Sequence, residues 1–417
     1  MRPERAELAL HGGPKAVVTP FGTGNRFQGR ELQYLKAALE QNTLFYGFGR
    51  FVQKACHAMR RYTGQPYVVA CSSGTAALHL GLIACGIGPG DEVVCTPNTD
   101  AGTVIGILAE GAVPVFCDVA ETLQPTPRTI RAVLTPRTRA VIVVHLAGYP
   151  APVDVIVRLA HTRGIPVLED CAQSWGTRLG GRLVGTFGIA GAFSTNDFKH
   201  ISTGDGGFLV LHDEALYRRA ANYADKHYDR LFDRSLASAH FGMNYRMTEL
   251  QGAVALAQLE KVRRVTAHYH RLGSLLERQL ARLPAGRLIP RLSGSYVTYW
   301  WTALLPDYAR LEADRDTLVH ALQAEGVPAS PYGQYDLIQK PLFQTRVMRP
   351  WLRGRRRFYP FVQPDGRSYR YDYEHTPVHR RLLDEAIRLS PFGEFVTETN
   401  IREIAAGILK VFRYYAR

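Results

Sequence analysis

Between residues 66 and 211, short runs of β-branched and other apolar residues alternate with stretches typical of α-helices. The apolar runs are uninterrupted, which indicates a parallel sheet covered by helices on both faces. We therefore predict a doubly wound α/β domain that binds its ligands at the carboxyl ends of the strands. The predicted strands are residues 67–71, 92–96, 113–117, 140–145, 166–168, 190–194 and 208–211, and the predicted helices between them are 75–85, 101–110, 130–134 and 153–161.

The pattern changes after this region and becomes mostly helical. A long helix is predicted over residues 250–263, and it leads out of the first domain. Farther on, the sequence predicts a strand at 296–305, helices at 315–325 and 401–415, and an irregular stretch rich in Pro, Arg and Tyr at 340–377. We predict a large domain over residues 1–262, with an N-terminal helical arm, and a smaller α+β domain over 263–417.

Composition excludes several classes of protein. The 417 residues are 46% hydrophobic, as in ordinary globular proteins, and residues 1–15 lack the apolar core of a secretion signal. We expect a cytoplasmic protein that neither enters a membrane nor binds nucleic acid. The net charge of +14 is dispersed apart from one run, Arg353–Arg357, which is typical of a solvated basic loop. The six cysteines have no metal-binding spacing, so we expect buried reduced thiols and no metal site.

The first motif that indicates chemistry is a turn of small residues between a predicted strand and the following helix, in residues 71–78. Free backbone amides at a helix N-terminus bind anions. Gly74 and Thr75 would present N–H groups and a hydroxyl to a phosphate. A helix cap without a ligand would have the same sequence.

The second motif places two acids, Glu169 and Asp170, at the end of a buried strand. Successive side chains of a strand point to opposite faces, so only one of the two is expected to face a ligand. The carboxylate could bind a metal, a ribose or a protonated ring nitrogen, or it could form a helix cap or a salt bridge.

The third motif is a lysine, Lys199, between a predicted strand end and the glycine-rich turn at residues 203–207. It could be an ordinary surface lysine, or an amine that forms a Schiff base because burial lowers its pKa. A phosphate site, a carboxylate for a ring nitrogen and such a lysine are together what pyridoxal 5′-phosphate requires. The three motifs jointly predict this cofactor.

These residues also carry a resemblance to a known family that extends over nearly the whole chain. The chain resembles the DegT/DnrJ/EryC1/StrS family of sugar and cyclitol aminotransferases, which have the aspartate aminotransferase-like (type I) fold. The matching segments are SSGTAALHLGL, GPGDEV, GAVPVFCDV, VHLAGYP, EDCAQSWGT, VGTFGIAGAFS, TGDGG and GMNYRMTELQGAVALAQL.

The resemblance implies a role for individual residues. Lys199 would be the catalytic residue, which carries the cofactor and moves a proton between substrate and cofactor. Asp170 would pair with the pyridinium nitrogen, and Gln173 would lie against the ring. The phosphate would be held by Gly74, Thr75 and Ser194, and by Asn244 from the neighbouring subunit of a homodimer with shared active sites.

The chain departs from the family at one position. Where the family has an aromatic residue that stacks on the cofactor, this sequence has Asp100. Either another side chain covers that ring face, or the pocket is more polar and suits a hydroxyl-rich or amine-bearing substrate. Asp100 could also simply cap the following helix.

A related dehydratase branch replaces the lysine by histidine. Because Lys199 is present, with His200 beside it, transamination is favoured over dehydration. His145, at a predicted strand end, could also line the site.

The function predicted in this way is an aminotransferase of amino sugar or aminoglycoside-type antibiotic biosynthesis. Its donor would be glutamate or glutamine, and its acceptor a keto-sugar, nucleotide-linked in view of the positive charge, or a keto-cyclitol. Two alternatives remain at this stage. One is a pyridoxal phosphate-dependent sugar dehydratase, and the other is a binding protein that kept the fold without catalysis.

Overall fold

The computed structural model describes residues 7–22, 24–230 and 240–417, which form three sheets flanked by helices. The strands are β1 (Tyr67–Cys71), β2 (Glu92–Cys95), β3 (Val113–Phe116), β4 (Thr138–Val144), β5 (Val167–Asp170), β6 (Arg178–Leu179), β7 (Arg182–Leu183), β8 (Ala190–Ser194), β9 (Gly207–Leu211), β10 (Gly286–Leu288), β11 (Ser295–Tyr296), β12 (Thr302–Pro306), β13 (Ala329–Pro331) and β14 (Ile387–Leu389). The helices are α1 (Glu31–Glu40), α2 (Phe51–Thr63), α3 (Gly74–Ala84), α4 (Gly102–Ala109), α5 (Pro127–Arg131), α6 (Val153–His161), α7 (Glu214–Ala224), α8 (Glu249–Gln279), α9 (Arg315–Ala324), α10 (Pro341–Thr345), α11 (Pro377–Glu385) and α12 (Glu398–Tyr415).

The large sheet has seven strands in the order β1-β9-β8-β5-β4-β2-β3. From β8 to β3 all neighbours are parallel, and every residue of β2, β5 and β8 is buried, as the continuous apolar runs predict. The exception is β9, which is antiparallel to both of its neighbours. Its reversal follows from the connection, because the loop at 195–206 joins β8 to β9 without a crossover helix. The mostly parallel α/β fold is confirmed.

The long helix α8 extends much farther than the predicted residues 250–263. It begins with a capping box between Thr248 and Gln251 and continues to Gln279. Its first half packs in the same core as α2 and β9, whereas Leu272 and Leu276 pack in the core of the C-terminal sheet. One helix therefore belongs to both cores, and the proposed domain boundary at residue 262 falls inside it.

The C-terminal sheet is antiparallel, in the order β10-β12-β14-β13. The single strand predicted at 296–305 is wrong, because Tyr299 has a positive φ of 41° and the chain forms two short strands, β11 and β12, on either side of it. The predicted surface helix at 401–415 corresponds to α12, and one of its faces is deeply buried through Ile401, Ile404 and Ile408. The predicted helix at 130–134 begins earlier, at Pro127, because Thr126 caps it.

The irregular stretch at 340–377 packs on the large sheet rather than on the C-terminal one. Phe343 and Tyr371 lie 5.2 and 5.1 Å, centroid to centroid, from the ring of Phe116 at the end of β3. The Tyr371 hydroxyl also donates to the Pro114 carbonyl at 2.9 Å. A segment that is late in the sequence thereby reaches the edge of the predicted α/β domain. Among the described residues, no helix combines the length and apolar character needed to cross a membrane.

Candidate active site

A cavity of about 510 Å³ lies at the carboxyl ends of β4, β5 and β8, where the sequence predicts the ligand site. Six of the seven predicted site residues line it, and we call them the sheet-side wall: Gly74, Thr75, Asp170, Gln173, Ser194 and Lys199. The seventh, Asn244, is exposed, pairs its backbone with Asp225 and does not line this cavity. Its predicted role in the neighbouring subunit stays a prediction.

The first part of the sheet-side wall is the N-terminus of α3. The Ser73 side chain caps this helix by accepting a hydrogen bond from the amide of Ala76 at 3.0 Å. The amides of Gly74 and Thr75, which precede it, remain available for an anion. A Cβ atom on Gly74 would lie only 2.6 Å from Cβ of Ser194, so glycine allows the helix end and the end of β8 to meet.

The two acids at the end of β5 have different environments. Glu169 is fully buried and accepts hydrogen bonds from the amides of Gly185, Phe187 and Gly188 at 2.6–2.7 Å, and from Nε2 of His145 at 3.0 Å. It is a structural anion that holds the loop before β8. Asp170 points the opposite way and lines the cavity, so it is the acid of the pair that can face a ligand.

Asp170 is held in place by two donors. Its Oδ2 accepts from the hydroxyl of Thr103 at 2.8 Å, and its Oδ1 accepts from the amide of Ala172 at 3.0 Å. Burial raises the pKa of Asp170, although these two hydrogen bonds and the charge of Lys199 lower it again. A cationic group in the cavity would favour the ionised carboxylate further.

Lys199 lies in the loop between β8 and β9, and its side chain enters the cavity. Nζ is 4.4 Å from the centre of the Trp300 ring. Burial lowers the pKa of Lys199, and the nearby carboxylates of Asp170 and Asp100 act in the opposite direction. A larger fraction of the amine is therefore neutral, which is the nucleophilic form.

His200, beside the lysine, is fully buried and points away from the cavity. Its Nε2 donates to the carbonyl of Thr298 at 3.2 Å. Burial lowers the pKa of His200 to about 4, and the positive charges of Lys199 and Arg26 act in the same direction. His200 is thus neutral at physiological pH and adds no charge beside the amine.

Other cavity residues come from the C-terminal half of the chain, and the sequence did not predict them. We call them the C-terminal wall: Trp300, Gln334, Tyr335 and Arg388. The guanidinium of Arg388 lies over the rings of Trp301 and Tyr335, 5.2 and 5.4 Å from their centres. Its Nε is buried, and no group in the described part of the chain accepts its proton. The aromatic run 299–301 was the one sequence signal that could have indicated this wall.

Asp100 also lines the cavity. Its Oδ1 accepts from the amide of Gly102 at 2.8 Å, at the start of α4, so the capping interpretation is confirmed. The side chain is exposed, and its charge is close enough to act on the pKa of Lys199 and of Tyr335. The aromatic surface of this cavity comes instead from Phe198, Trp300 and Tyr335.

Two further groups lie outside the cavity. His145, which we considered as a possible site residue from the sequence, is fully buried, and its Nδ1 accepts a hydrogen bond from the amide of Ala151. His145, Glu169 and Cys171 are close enough together to hold a metal ion. The trio is poorly suited to one, because Glu169 already accepts four hydrogen bonds and burial raises the pKa of the Cys171 thiol well above its usual range. The run Arg353–Arg357 forms an exposed 3₁₀ turn that does not line the cavity.

The residues present fit pyridoxal phosphate. The cavity combines a helix N-terminus for a phosphate, a buried carboxylate for a protonated ring nitrogen and an amine for an aldehyde. Gln173 also lines the cavity, and its side chain is fixed there because Oε1 accepts from the amide of Ala147 at 3.0 Å. The close contact between Gly74 and Ser194 also brings the Ser194 hydroxyl to the helix end.

Comparison with known proteins agrees with this geometry. The model of the DegT/DnrJ/EryC1/StrS aminotransferase family matches residues 25–352. A candidate L-glutamine:3-amino-2,3-dideoxy-scyllo-inosose aminotransferase of Streptoalloteichus tenebrarius is 32% identical over 424 residues, which cover 98% of each chain. GDP-perosamine synthase of Escherichia coli O157:H7 is 32% identical over 322 residues, 77% of this chain and 86% of the relative.

The fold agrees as well. The crystal structure of an aminotransferase from Psychrobacter cryohalolentis superposes with a TM-score of 0.78 and 28% identity, covering 95% of this chain and 98% of that one. The aspartate aminotransferase-like fold, whose enzymes depend in general on pyridoxal phosphate, is thereby confirmed. The chain belongs to the DegT/DnrJ/EryC1/StrS aminotransferase family, and it is an aminotransferase.

Proposed function

We propose that this enzyme transfers an amino group from glutamine or glutamate to the ketone of a cyclitol or sugar, with pyridoxal phosphate held by the sheet-side wall. The observation that carries this proposal is the meeting of Lys199, Asp170 and the N-terminus of α3 in one cavity. When bound, the cofactor accepts the electrons of the substrate C–H bond and stores the amino group between the two half-reactions.

The residues of the sheet-side wall divide the work. The amides of Gly74 and Thr75 and the hydroxyl of Ser194 would bind the phosphate. The carboxylate of Asp170, oriented by Thr103 and Ala172, would keep the ring nitrogen protonated. Nζ of Lys199 would attach the cofactor and then move a proton at the substrate carbon, because burial lowers its pKa and so increases the neutral form that can act as a base.

The amino donor brings a carboxylate into the cavity, and Arg388 is the residue that fits it. The guanidinium lies beside the rings of Trp301 and Tyr335 and donates to Oε1 of Gln334, and no described acid forms an ion pair with it. A planar guanidinium binds a carboxylate through two parallel hydrogen bonds. Arg388 therefore supports glutamine or glutamate as the donor.

For the acceptor, the structure favours a free keto-cyclitol over a nucleotide-linked sugar. The run Arg353–Arg357, which is the one dense group of basic residues in the sequence, lies outside this cavity and supplies no phosphate site there. Asp100 supplies a carboxylate oxygen to the cavity, which suits a polyhydroxylated or amine-bearing ring. The relative that matches the chain over 98% of its length is also named for a cyclitol substrate.

A homodimer with shared active sites is part of the proposal. Phe241 and Met243 are exposed directly before Asn244, and Phe48 is 80% exposed. Exposed apolar groups of this size are typical of interfaces. In a dimer, this segment could bring Asn244 to the phosphate site of the second copy. We also place the enzyme in the cytoplasm, which is consistent with six free cysteines.

The attachment of the cofactor can be tested directly. We expect borohydride reduction of the holoenzyme to fix the cofactor on the peptide that contains Lys199, as measured by mass spectrometry. Lys199→Ala should lose this adduct, and transamination should fall by at least about 10³-fold because nucleophile and base are removed together. Lys340→Ala, an exposed lysine outside the cavity, is the control. An adduct on another lysine would refute the assignment.

The acceptor and the reaction class need a second experiment. With glutamine as donor, we expect amination of scyllo-inosose and no amination of a nucleotide-linked 4-keto sugar; the opposite result would move the proposal to nucleotide sugars. A dehydratase would release water from its substrate without consuming glutamine. A binding protein would not convert the bound cofactor when glutamine is added. The absorbance of the cofactor therefore separates the aminotransferase from both alternatives, and the release of water from the substrate separates the dehydratase from the binding protein.

A further inference from the structure

The loop that carries Lys199 has no regular secondary structure, so its backbone carbonyls need partners from elsewhere. Two side chains provide them for four consecutive residues. Trp300 Nε1 donates to the carbonyl of Phe198 at 2.7 Å. Arg26 donates to the carbonyl of Asp197, to that of Lys199 at 2.6 Å and to that of His200 at 3.1 Å. The backbone on both sides of the catalytic amine is therefore held by one guanidinium.

Arg26 is itself held from the other side. Its carbonyl accepts hydrogen bonds from the side chains of Gln258, at 3.3 Å, and Lys261, both on α8. Oε1 of Gln258 in turn accepts from the amide of Ser202 at 3.2 Å. The chain before α1, which we call the N-terminal arm, α8 and the Lys199 loop thus form one connected network. The guanidinium is about four-fifths buried, and its nearest described carboxylate, that of Asp197, is 4.0 Å away.

The residues before Arg26 fasten the same arm to the C-terminal part of the chain. The buried carboxylate of Glu325 accepts from the amides of Ala9 and Ala16, and that of Glu403 accepts from the amide of Thr19. The side chain of Asn400 donates to the carbonyl of Thr19 at 3.0 Å. The arm therefore connects α9 and α12 with the loop of the catalytic lysine.

We propose that Arg26 is a positioning residue for Lys199, which fixes the loop backbone so that Nζ is aimed into the cavity toward Asp170. Arg26 does not line the cavity and so acts only through the loop. The inference rests on the proposed function, since it requires Lys199 to be the cofactor lysine. Misplacement of a catalytic group by about 1 Å can cost about 10²-fold in rate.

The test compares Arg26→Ala and Arg26→Lys with Arg30→Ala in the holoenzyme. Arg30 is an exposed arginine of the same arm that interacts with Gln33 and Glu260, so it is the matched control. For Arg26→Ala we expect a single-turnover rate with glutamine that is lower by about 10- to 100-fold, and a donor Kd within about twofold of wild type. The pH at which the absorbance of the bound cofactor changes should move upward, because a positive charge is lost and water enters.

Arg26→Lys should recover part of the rate and of the pH midpoint, since an ammonium keeps the charge but reaches fewer carbonyls. A wild-type rate and midpoint in Arg26→Ala would overturn the proposal, and so would a loss of thermal stability with an unchanged midpoint. If Arg26→Ala does not fold, Arg26→Gln carries the same test. Failure of the wild-type enzyme to form the adduct on Lys199 would instead reject the proposed function itself.

Discussion

The sheet-side wall and the C-terminal wall of the cavity are built in different ways. Residues of the sheet-side wall lie at or shortly after the ends of β1, β5 and β8 of one sheet, and hydrogen bonds from Thr103 on α4 and from the amide of Ala172 hold Asp170 in place. Residues of the C-terminal wall come from three separate segments between 300 and 388. Under the proposed function, the first wall would carry the groups that hold the cofactor and move the proton, whereas the second would bind the amino donor through Arg388. Substitutions in the two walls should therefore change different kinetic constants.

The largest effect is expected in the sheet-side wall, for Asp170→Asn. The Asn oxygen can still accept from the amide of Ala172, and the hydroxyl of Thr103 can turn to accept from the Asn N–H₂ group. The amide cannot stabilise a positive ring nitrogen, so kcat should fall by about 10²- to 10⁴-fold. Single-turnover absorbance with glutamine measures the effect. A decrease of less than about tenfold in this rate would mean that the ring nitrogen does not lie at Asp170. The two walls would then not differ in the kinetic constants that they control.

The same variant also gives a prediction on pH. Because burial raises the pKa of Asp170, the folded apoprotein binds this proton more tightly than the unfolded chain. Stability from the protonated group is present below its unfolded pKa and is lost as the pH rises through the folded pKa. Asp170→Asn should thus be at least as stable as wild-type apoprotein at neutral pH. Thermal unfolding across pH checks this: the difference should grow as the pH rises from the unfolded pKa of Asp170 to its folded pKa and stay constant above it.

The neighbouring acid provides the contrasting case. In Glu169→Gln, one acceptor oxygen becomes an N–H₂ group that faces the amides of the loop before β8 or the ring of His145. We expect a loss of unfolding free energy of about 2–4 kcal/mol, because buried donors are left without an acceptor. Denaturant unfolding of the apoprotein measures it. A variant that is fully stable but inactive would show that Glu169 has a direct role in the chemistry.

The difference between the walls also explains what the sequence could predict. Gly74 and the acids at the end of β5 could be identified because each occupies a fixed place relative to a strand end, and strand ends of a parallel sheet meet at one edge. The choice of Asp170 and the role of Ser194 were implied by the resemblance to the family. Alternation along the strand showed that only one of Glu169 and Asp170 would face a ligand, but the motif alone did not show which one. The fold of the first half followed from the same apolar pattern, apart from the direction of β9, which depends on the loop rather than on the strand.

The C-terminal wall could not be identified in this way. Arg388 is one of many arginines in a basic chain, and its place depends on how β14 packs beside Trp301 and Tyr335. Arg26 is equally inconspicuous, because its partners are backbone carbonyls that have no sequence signature. Contacts between segments that are far apart in the sequence decide both positions, and a local pattern does not contain them.

Arg388→Ala gives the next largest effect and tests the C-terminal wall. The KM for glutamine should rise by about 10- to 100-fold, with kcat within about threefold of wild type, because the donor loses its carboxylate partner in every bound state. Arg388→Lys should recover little, since an ammonium cannot replace the planar fork. Arg380→Ala, an exposed arginine paired with Asp384, is the control. An equal loss in kcat would assign Arg388 to the chemistry and contradict the division.

The smallest effect is expected at Asp100, which lies between the two walls and has two roles that substitution can separate. Asp100→Asn keeps the oxygen that accepts from the amide of Gly102 and removes only the charge, whereas Asp100→Ala removes both. If the carboxylate binds hydroxyl or amino groups of the acceptor, both variants should raise the acceptor KM by about three- to tenfold. The glutamine half-reaction should change less, because Asp100 acts on Lys199 only through its charge. If capping is its whole role, Asp100→Asn should behave as wild type in steady-state kinetics with a keto-cyclitol, and only Asp100→Ala should lose thermal stability. The first outcome would show that Asp100, between the two walls, contributes to the binding of the acceptor.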